Sequence, residues 1–356
     1  MGHITKILIA NRGEISCRAQ KACRDIGIGH VVVYTEQDSL SLHVLQAEEA
    51  VCLGSQPKEY LNGEKLLKAC KETGADAVFP GYGFLSENVE FAKACEEAGV
   101  QFIGPTPETM ESFSQKHTAR AIAESAGVPV LPGTSLLTSA DEALDACKKV
   151  GLPVLLKATG GGGGIGIHIC RTEEEVGEKF QSAVRQGAAA FGDSGVFLEK
   201  YVEHARHIEI QIFGDGQGNI VSFPERECSI QRRHQKVVEE TPSPFVSSRL
   251  DVRKALQKAA TDLGSAIKYR SAGTVEFILD DDTGKFYFLE VNTRLQVEHG
   301  ITEMVSNVDL VAWQFQLQGA VYTGNDPKKM LKNVETRTIE PIGHAIEVRL
   351  CRGSDS

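Results

Sequence analysis

Short, wholly apolar runs alternate with longer stretches in which apolar residues return every three or four positions, and this pattern sets the architecture of the first third of the chain. Ile7-Leu8-Ile9-Ala10, residues 30–34 (His-Val-Val-Val-Tyr), Ala77-Val78-Phe79 and Gln101-Phe102-Ile103-Gly104 read as buried strands, with helices over residues 14–26, 63–73 and 88–98 between them. Strand and helix in alternation predict an α/β fold, a doubly wound parallel sheet. The first strand runs into Asn11-Arg12-Gly13-Glu14 rather than a Gly-x-Gly-x-x-Gly turn, which argues against a dinucleotide site. Residues 80–87 follow a strand's carboxyl end, where open sheets place ligands, but Gly81 and Gly83 fit a simple turn equally well.

A period of two marks residues 287–299, Tyr-Phe-Leu-Glu-Val-Asn-Thr-Arg-Leu-Gln-Val-Glu-His. Alternate side chains of a strand share a face, so Glu290, Asn292 and Arg294 are expected to point to one site, with Glu298 just beyond. Gly-Thr-Val-Glu-Phe at 273–277 supplies Glu276 from a strand placed to form a hairpin with this one. Carboxylates with a carboxamide make a hard-oxygen set suited to Mg2+, and an arginine with a second glutamate can grip and deprotonate a small anion.

Two further segments carry candidate chemistry. Gly160 to Gly164 are five consecutive glycines, each costly in backbone entropy, between the strand-like residues 153–157 and 167–170. A hairpin with a glycine tip is expected, its backbone N–H groups approaching phosphate oxygens as a mobile flap closes over a nucleotide. Residues 225–236, Glu-Arg-Glu-Cys-Ser-Ile-Gln-Arg-Arg-His-Gln-Lys, show neither helical nor strand periodicity, so they read as an irregular loop whose cations and amides bind phosphate or carbonate oxygens.

Composition narrows the class. With 356 residues the chain accommodates two or three domains, and 41% hydrophobic with 24% charged residues is ordinary for a globular protein. A formal charge of -10 argues against nucleic acid or an anionic membrane as the main partner. No apolar run is long enough to span a bilayer and no signal peptide precedes the first strand, so a cytoplasmic location is expected. Nine cysteines without a Cys-x-x-Cys pair suit reduced thiols rather than zinc or a disulfide framework.

Taken in order, Asn-Arg-Gly-Glu-Ile at 11–15, Pro-Gly-Tyr-Gly-Phe-Leu-Ser-Glu-Asn at 80–88, the glycine run, Arg-His-Ile-Glu-Ile-Gln at 206–211, Gln-Arg-Arg-His-Gln-Lys at 231–236 and Asn-Thr-Arg-Leu-Gln-Val-Glu-His at 292–299 resemble the biotin carboxylase family over nearly the whole chain. The resemblance implies an N-terminal domain over residues 1–115, an ATP-grasp domain over 116–324 with a lid at 133–203, and the start of a C-terminal domain over 325–356. It implies ATP, Mg2+ or Mn2+, bicarbonate and biotin as reactants and cofactors. Lys116 and Lys157 would contact the ATP phosphates, under a flap that includes Gly162, Gly163 and Gly164. Glu199 and Lys200 would lie where adenine is read, with His207, Gln231 and His234 closing around the nucleotide. Glu276, Glu290 and Asn292 would hold the metal. Lys236, Arg294, Gln296 and the Val297 backbone would hold bicarbonate, Glu298 would be the base, and Arg349 would stabilise the biotin enolate.

The finer kind is read from Lys116-His117-Thr118-Ala119-Arg120, residues 132–139, Gly-Gly-Ile-Gly at 163–166, Glu-Glu-Thr-Pro-Ser-Pro at 239–244 and Gly300, which look most like the urea carboxylases. The carboxylase part of an acetyl-CoA, propionyl-CoA, methylcrotonyl-CoA or pyruvate carboxylase is the alternative, and a non-catalytic nucleotide-binding protein is another. The family's carboxylase domain continues past Arg349, whereas this sequence stops at Ser356 and has no Ala-Met-Lys-Met biotinylation site. A truncated C-terminal domain with weak or absent turnover is therefore expected, with a biotin carboxyl carrier and a carboxyltransferase domain as partners in the parent protein or in trans, and a homodimer as the assembly.

Overall fold

Ile7 and Ile9 of the first strand face one way and Leu8 the other, and each face is covered by helices. The computed structural model describes residues 4–159, 166–192, 194–233, 235–325 and 338–350. Strands β1 (Lys6–Ile9), β2 (Gly29–Thr35), β3 (Ala50–Gly54), β4 (Ala77–Phe79) and β5 (Gln101–Phe102) form a parallel sheet in the order β3-β2-β1-β4-β5. Helices α1 (Gly13–Ile26), α2 (Leu42–Leu45), α3 (Gly63–Thr73), α4 (Val89–Glu97) and α5 (Pro107–Ser114) surround it. Ile15, Ala19 and Cys23 of α1 pack on Ile7 and Ile9, while Leu66 and Ala69 of α3 and Phe91 and Cys95 of α4 pack near Leu8. Each large aliphatic side chain so enclosed contributes about 1.5–3 kcal/mol. The doubly wound expectation holds; β3 has no counterpart among the expected strands, because its Ala-Val-Cys-Leu-Gly sequence is short and half-exposed.

Beyond α6 (Lys116–Ser125), helices α7 (Ala140–Val150) and α8 (Glu173–Phe191) cover a small antiparallel sheet of β6 (Val154–Ala158), β7 (Ile167–Cys170) and β8 (Val196–Lys200), ordered β7-β6-β8. β6 and β7 are the expected hairpin, whose tip, residues 160–165, lies outside the described residues. The segment entering this unit lies against β8 because Gly133 has no side chain: a Cβ there would sit 2.7 Å from the Leu198 carbonyl oxygen.

The third sheet carries most of the polar chemistry. β9 (Ala205–Asp215), β10 (Ile220–Arg232), β11 (Gln235–Thr241), β12 (Arg270–Asp280), β13 (Phe286–Asn292) and β14 (Ala345–Val348) lie in the order β13-β12-β9-β10-β11-β14, all antiparallel. Helices α9 (Pro244–Ser247) and α10 (Leu250–Ala266) precede β12, and α11 (His299–Ser306) and α12 (Leu310–Tyr322) follow β13. Ile208, Ile210 and Ile212 of β9 pack with Leu256, Ala260 and Leu263 of α10, which turns His207, Glu209 and Gln211 to the opposite face. Phe315 of α12 meets Phe79 edge-on at 5.1 Å, joining this sheet to the parallel one.

Two expectations are corrected. Residues 225–236 are not an irregular loop: β10 and β11 form a hairpin over them, with register shifts between Glu227 and Gln231. The strand pattern is hidden because both faces are polar: Glu225 turns to Arg253 on α10, and Arg226 turns to the opposite side of the sheet. The strand expected over 287–299 ends at Asn292, so Arg294 lies past it and Glu298 stands at the N-cap of α11.

Candidate active site

One cross-strand row organises the site. Glu290 on β13 lies opposite Glu276 on β12, Glu276 opposite Glu209 on β9, and Glu209 opposite Arg226 on β10. Like charges placed opposite one another destabilise a sheet unless cations intervene. Arg226 is fully buried and donates to Glu209, to Gln211 and Gln296 at 2.9 and 2.7 Å, and to the Thr302 and Thr274 hydroxyls at 2.8 and 3.2 Å. Lys236 reaches Glu209 at 2.6 Å and Glu276 and Glu298 at 2.8 Å each. His207 Nε2 stands 3.0 Å from Glu276.

These contacts set the protonation states. Burial alone would raise the Glu276 carboxyl, but His207 and Lys236 outweigh it and hold it far below the usual range. Burial opposes charge on Lys236 too, yet Glu209, Glu276 and Glu298 push its pKa upward and keep it an ammonium. Glu290 goes the other way: burial and the Glu276 carboxylate raise it, with Lys116 only partly offsetting them. The side chains closest to relieving that repulsion are already engaged, so a divalent cation between Glu276 and Glu290 suits the pair. Asn292 adds a carboxamide, its Nδ2 donating to Glu276 at 2.8 Å and its Oδ1 accepting from Arg294 at 3.1 Å. Two carboxylates and an amide oxygen are a donor set that fits Mg2+ or Mn2+.

Glu290 and Leu289 form a wall shared by two cavities. On one side lies a narrow cleft bounded by Lys116, Arg120, Lys157, Glu199 and Phe288. Lys157 and Arg120 reach the two Glu199 oxygens at 2.5 and 3.3 Å. On the other side is a cavity of about 390 Å³ lined by His207, Gln231, Lys236, Glu276, Asn292, Arg294, Gln296, Val297, Glu298 and Arg349. Gln296 donates to Glu276 at 3.0 Å. Arg294 is held by Glu87 at 2.9 Å, from the 80–87 segment that sequence alone left open between turn and function. Glu298 is buried and bridges Lys236 and Arg349, each at 2.8 Å.

The structure thus gathers the expected residues around two adjoining spaces, with three qualifications. Lys200 is not brought in: its ammonium binds the Gly151 and Leu152 carbonyls, because adjacent residues of β8 face opposite ways and Glu199 takes the cleft side. His207 and Gln231 line the larger cavity, not the Lys157–Glu199 cleft. His234 and Gly162, Gly163 and Gly164 lie outside the described residues. Sequence reasoning missed Glu209, Arg226 and Glu239. The signal for Glu209 was present in the strict alternation of His207, Glu209 and Gln211 with isoleucines, whereas Arg226 and Glu239 sit in runs of charge that read as surface.

Comparison with known proteins matches residues 3–110 to the family model "Biotin carboxylase, N-terminal domain" and residues 115–322 to "Carbamoyl-phosphate synthase L chain, ATP binding domain". A putative urea carboxylase of Emericella nidulans is 49% identical over 354 residues, 98% of this chain but 28% of that protein. A biotin carboxylase of Halalkalibacterium halodurans is 47% identical over 97% of this chain and 74% of its own length. Among solved structures, the biotin carboxylase domain dimer of Hydrogenobacter thermophilus 2-oxoglutarate carboxylase, in complex with MgADP, ADP and bicarbonate, is similar with a TM-score of 0.85 and 42% identity, over 98% of this chain and 75% of that one. The chain therefore spans less than a third of the length of its urea-carboxylase relative.

Proposed function

This chain belongs to the biotin carboxylase family of ATP-grasp proteins, and from that premise we propose that it catalyses the ATP- and bicarbonate-dependent carboxylation of biotin. The observation that carries the reading is the shared wall at Glu290, with a cleft bearing Lys116 and Lys157 on one side and a cavity bearing Lys236, Arg294 and Glu298 on the other. A nucleotide in the cleft and bicarbonate in the cavity would then meet at the Glu276–Glu290 pair.

In this scheme Lys116 and Lys157 offset phosphate charge, as phosphoryl transfer requires. Glu276, Glu290 and Asn292 hold Mg2+ or Mn2+, which when bound supplies charge neutralisation for the transferred phosphoryl group. Bicarbonate is gripped by Lys236, Arg294, Gln296 and the Val297 backbone. Glu298 removes its proton as the bicarbonate oxygen attacks the γ-phosphorus, so ADP leaves and carboxyphosphate forms. Breakdown of carboxyphosphate yields carbon dioxide and phosphate, the phosphate takes the biotin N1′ proton, Arg349 stabilises the resulting biotin enolate, and N1′ then adds to the carbon dioxide to give carboxybiotin. Arg349 suits that place because its guanidinium already reaches the proposed base.

We take the final acceptor to be urea, supported by the 49% identity to a putative urea carboxylase. A carboxyl carrier domain, a carboxyltransferase domain and a second copy of the chain are the proposed partners. The free thiols of Cys23, Cys70, Cys95 and Cys228 are in keeping with a cytoplasmic location, and no helix among the described residues is long and apolar enough to cross a membrane. The test is ATP cleavage by the purified parent protein, since weak or absent turnover is expected of these 356 residues alone, with MgATP while bicarbonate and free biotin are varied. Cleavage that requires bicarbonate and rises with biotin is expected; cleavage indifferent to bicarbonate would remove the proposal.

A further inference from the structure

Arg349 is divided between two carboxylates that stand on different elements. Its Nε donates to Glu239 Oε1 at 2.6 Å and its Nη2 to Glu298 Oε2 at 2.8 Å, while Nη1 belongs to neither ion pair. Glu239 is fully buried on β11, directly opposite Glu347 of β14, and its Oε2 has no hydrogen-bond partner among the described residues. No step of the proposed reaction uses Glu239. A carboxylate in that setting costs free energy, since one oxygen is desolvated without compensation.

The surroundings explain what that cost obtains. Among the described residues β14 is the last strand of its sheet, and Arg349 follows the final residue of that strand. Its backbone N–H is tied to the Val237 carbonyl at 2.9 Å, which places the Cα but leaves the side-chain torsions open. A planar guanidinium gripped at Nε has its plane and its two terminal nitrogens fixed by one contact. Glu239 therefore decides which Arg349 nitrogen meets Glu298. Dividing the guanidinium between two carboxylates also leaves Glu298 less fully neutralised than sole possession of it would.

We propose that Glu239 is a positioning residue for Arg349, holding its guanidinium so that Nη2 meets Glu298 and the remaining nitrogen stays available to the acceptor; this rests on the reading of the cavity as the site of bicarbonate activation and biotin carboxylation. The test compares wild type, Glu239→Gln and Glu239→Asp in ATP cleavage with bicarbonate, with and without free biotin, alongside MgATP affinity. Glu239→Gln keeps MgATP affinity and the KM for ATP, while the ratio of biotin-stimulated to biotin-independent cleavage falls about tenfold or more, the scale of a misplaced reacting group. Glu239→Asp recovers part of that loss. An unchanged ratio, or a parallel loss of MgATP affinity and both activities, overturns the proposal. A second arm needs no turnover: the Arg349 Nε–H resonance, assigned by its disappearance in Arg349→Lys, exchanges slowly in wild type and much faster in Glu239→Gln. Equal exchange in the two proteins overturns the proposal. Wild-type protein that cleaves no ATP in a bicarbonate-dependent way counts against the assigned reaction instead, and the resonance then decides the role of Glu239 by itself.

Discussion

Glu276 and Glu290 face each other across neighbouring antiparallel strands, and their surroundings treat them oppositely: the first is held ionised by His207 and Lys236, while burial and the first raise the second. A divalent cation held by the pair would resolve that conflict. Glu290→Ala is expected to weaken MgATP binding by about 10–100-fold, the range seen when support for a bound metal is lost, while ADP without metal binds nearly as before. Calorimetry with and without Mg2+ checks this, and equal losses in both titrations would separate Glu290 from the metal.

Arg226 has five acceptors and no solvent, so its removal leaves four buried neutral acceptors without their donor and leaves the Glu209 carboxylate with Lys236 as its remaining close ammonium. Breaking a buried pair from one side costs about 3–5 kcal/mol. Arg226→Met should lower the denaturant midpoint accordingly. Pairing it with Glu209→Gln should return part of the loss, because the buried carboxylate that has lost one of its two cations is then gone.

Glu347 supplies a pH signature. Burial, followed by the Glu239 and Glu298 carboxylates, raises its pKa to about 7, well above that of an unfolded glutamate. The folded state therefore holds a proton that the unfolded chain has released, and folding stability falls as pH rises from the ordinary carboxyl range through about 7. Since Glu347 is only half-buried, solvent screens much of the effect. Glu347→Gln should flatten this part of the pH dependence of the unfolding midpoint, with the difference from wild type levelling off above neutrality. A wild-type curve that rises across the interval would contradict the assignment.

Glu298→Gln keeps the shape of the side chain but removes the proposed base. Bicarbonate-dependent ATP cleavage should fall about a hundredfold or more, the usual contribution of a general base, with MgATP affinity retained. Steady-state rates beside equilibrium binding give the split.

Much of this arrangement is legible in the sequence where a single period dominates. The apolar runs at Ile7–Ala10 and Ala77–Phe79 give the parallel sheet, and Glu276 and Glu290 emerge as hairpin neighbours because apolar residues flank both. Legibility fails where both faces of a strand are polar. Glu225 and Arg226 point to opposite sides of β10, each to a buried ionic partner, so no alternation of hydrophobicity survives to mark the strand. It fails again at Thr293, where β13 has ended: Arg294 gains its place from Glu87, 207 residues earlier in the chain, a contact that local pattern does not encode. Lys200 shows the converse, since its neighbour Glu199 faces the cleft and strand geometry turns Lys200 away from it.

The central claim is that the cavity holding Lys236, Arg294 and Glu298 activates bicarbonate to attack ATP across the Glu290 wall. The most direct measurement is the origin of the oxygen that the released phosphate gains. With MgATP, biotin and bicarbonate labelled with 18O, the account predicts phosphate carrying one bicarbonate oxygen per ATP cleaved; phosphate that takes its new oxygen from water instead would contradict it.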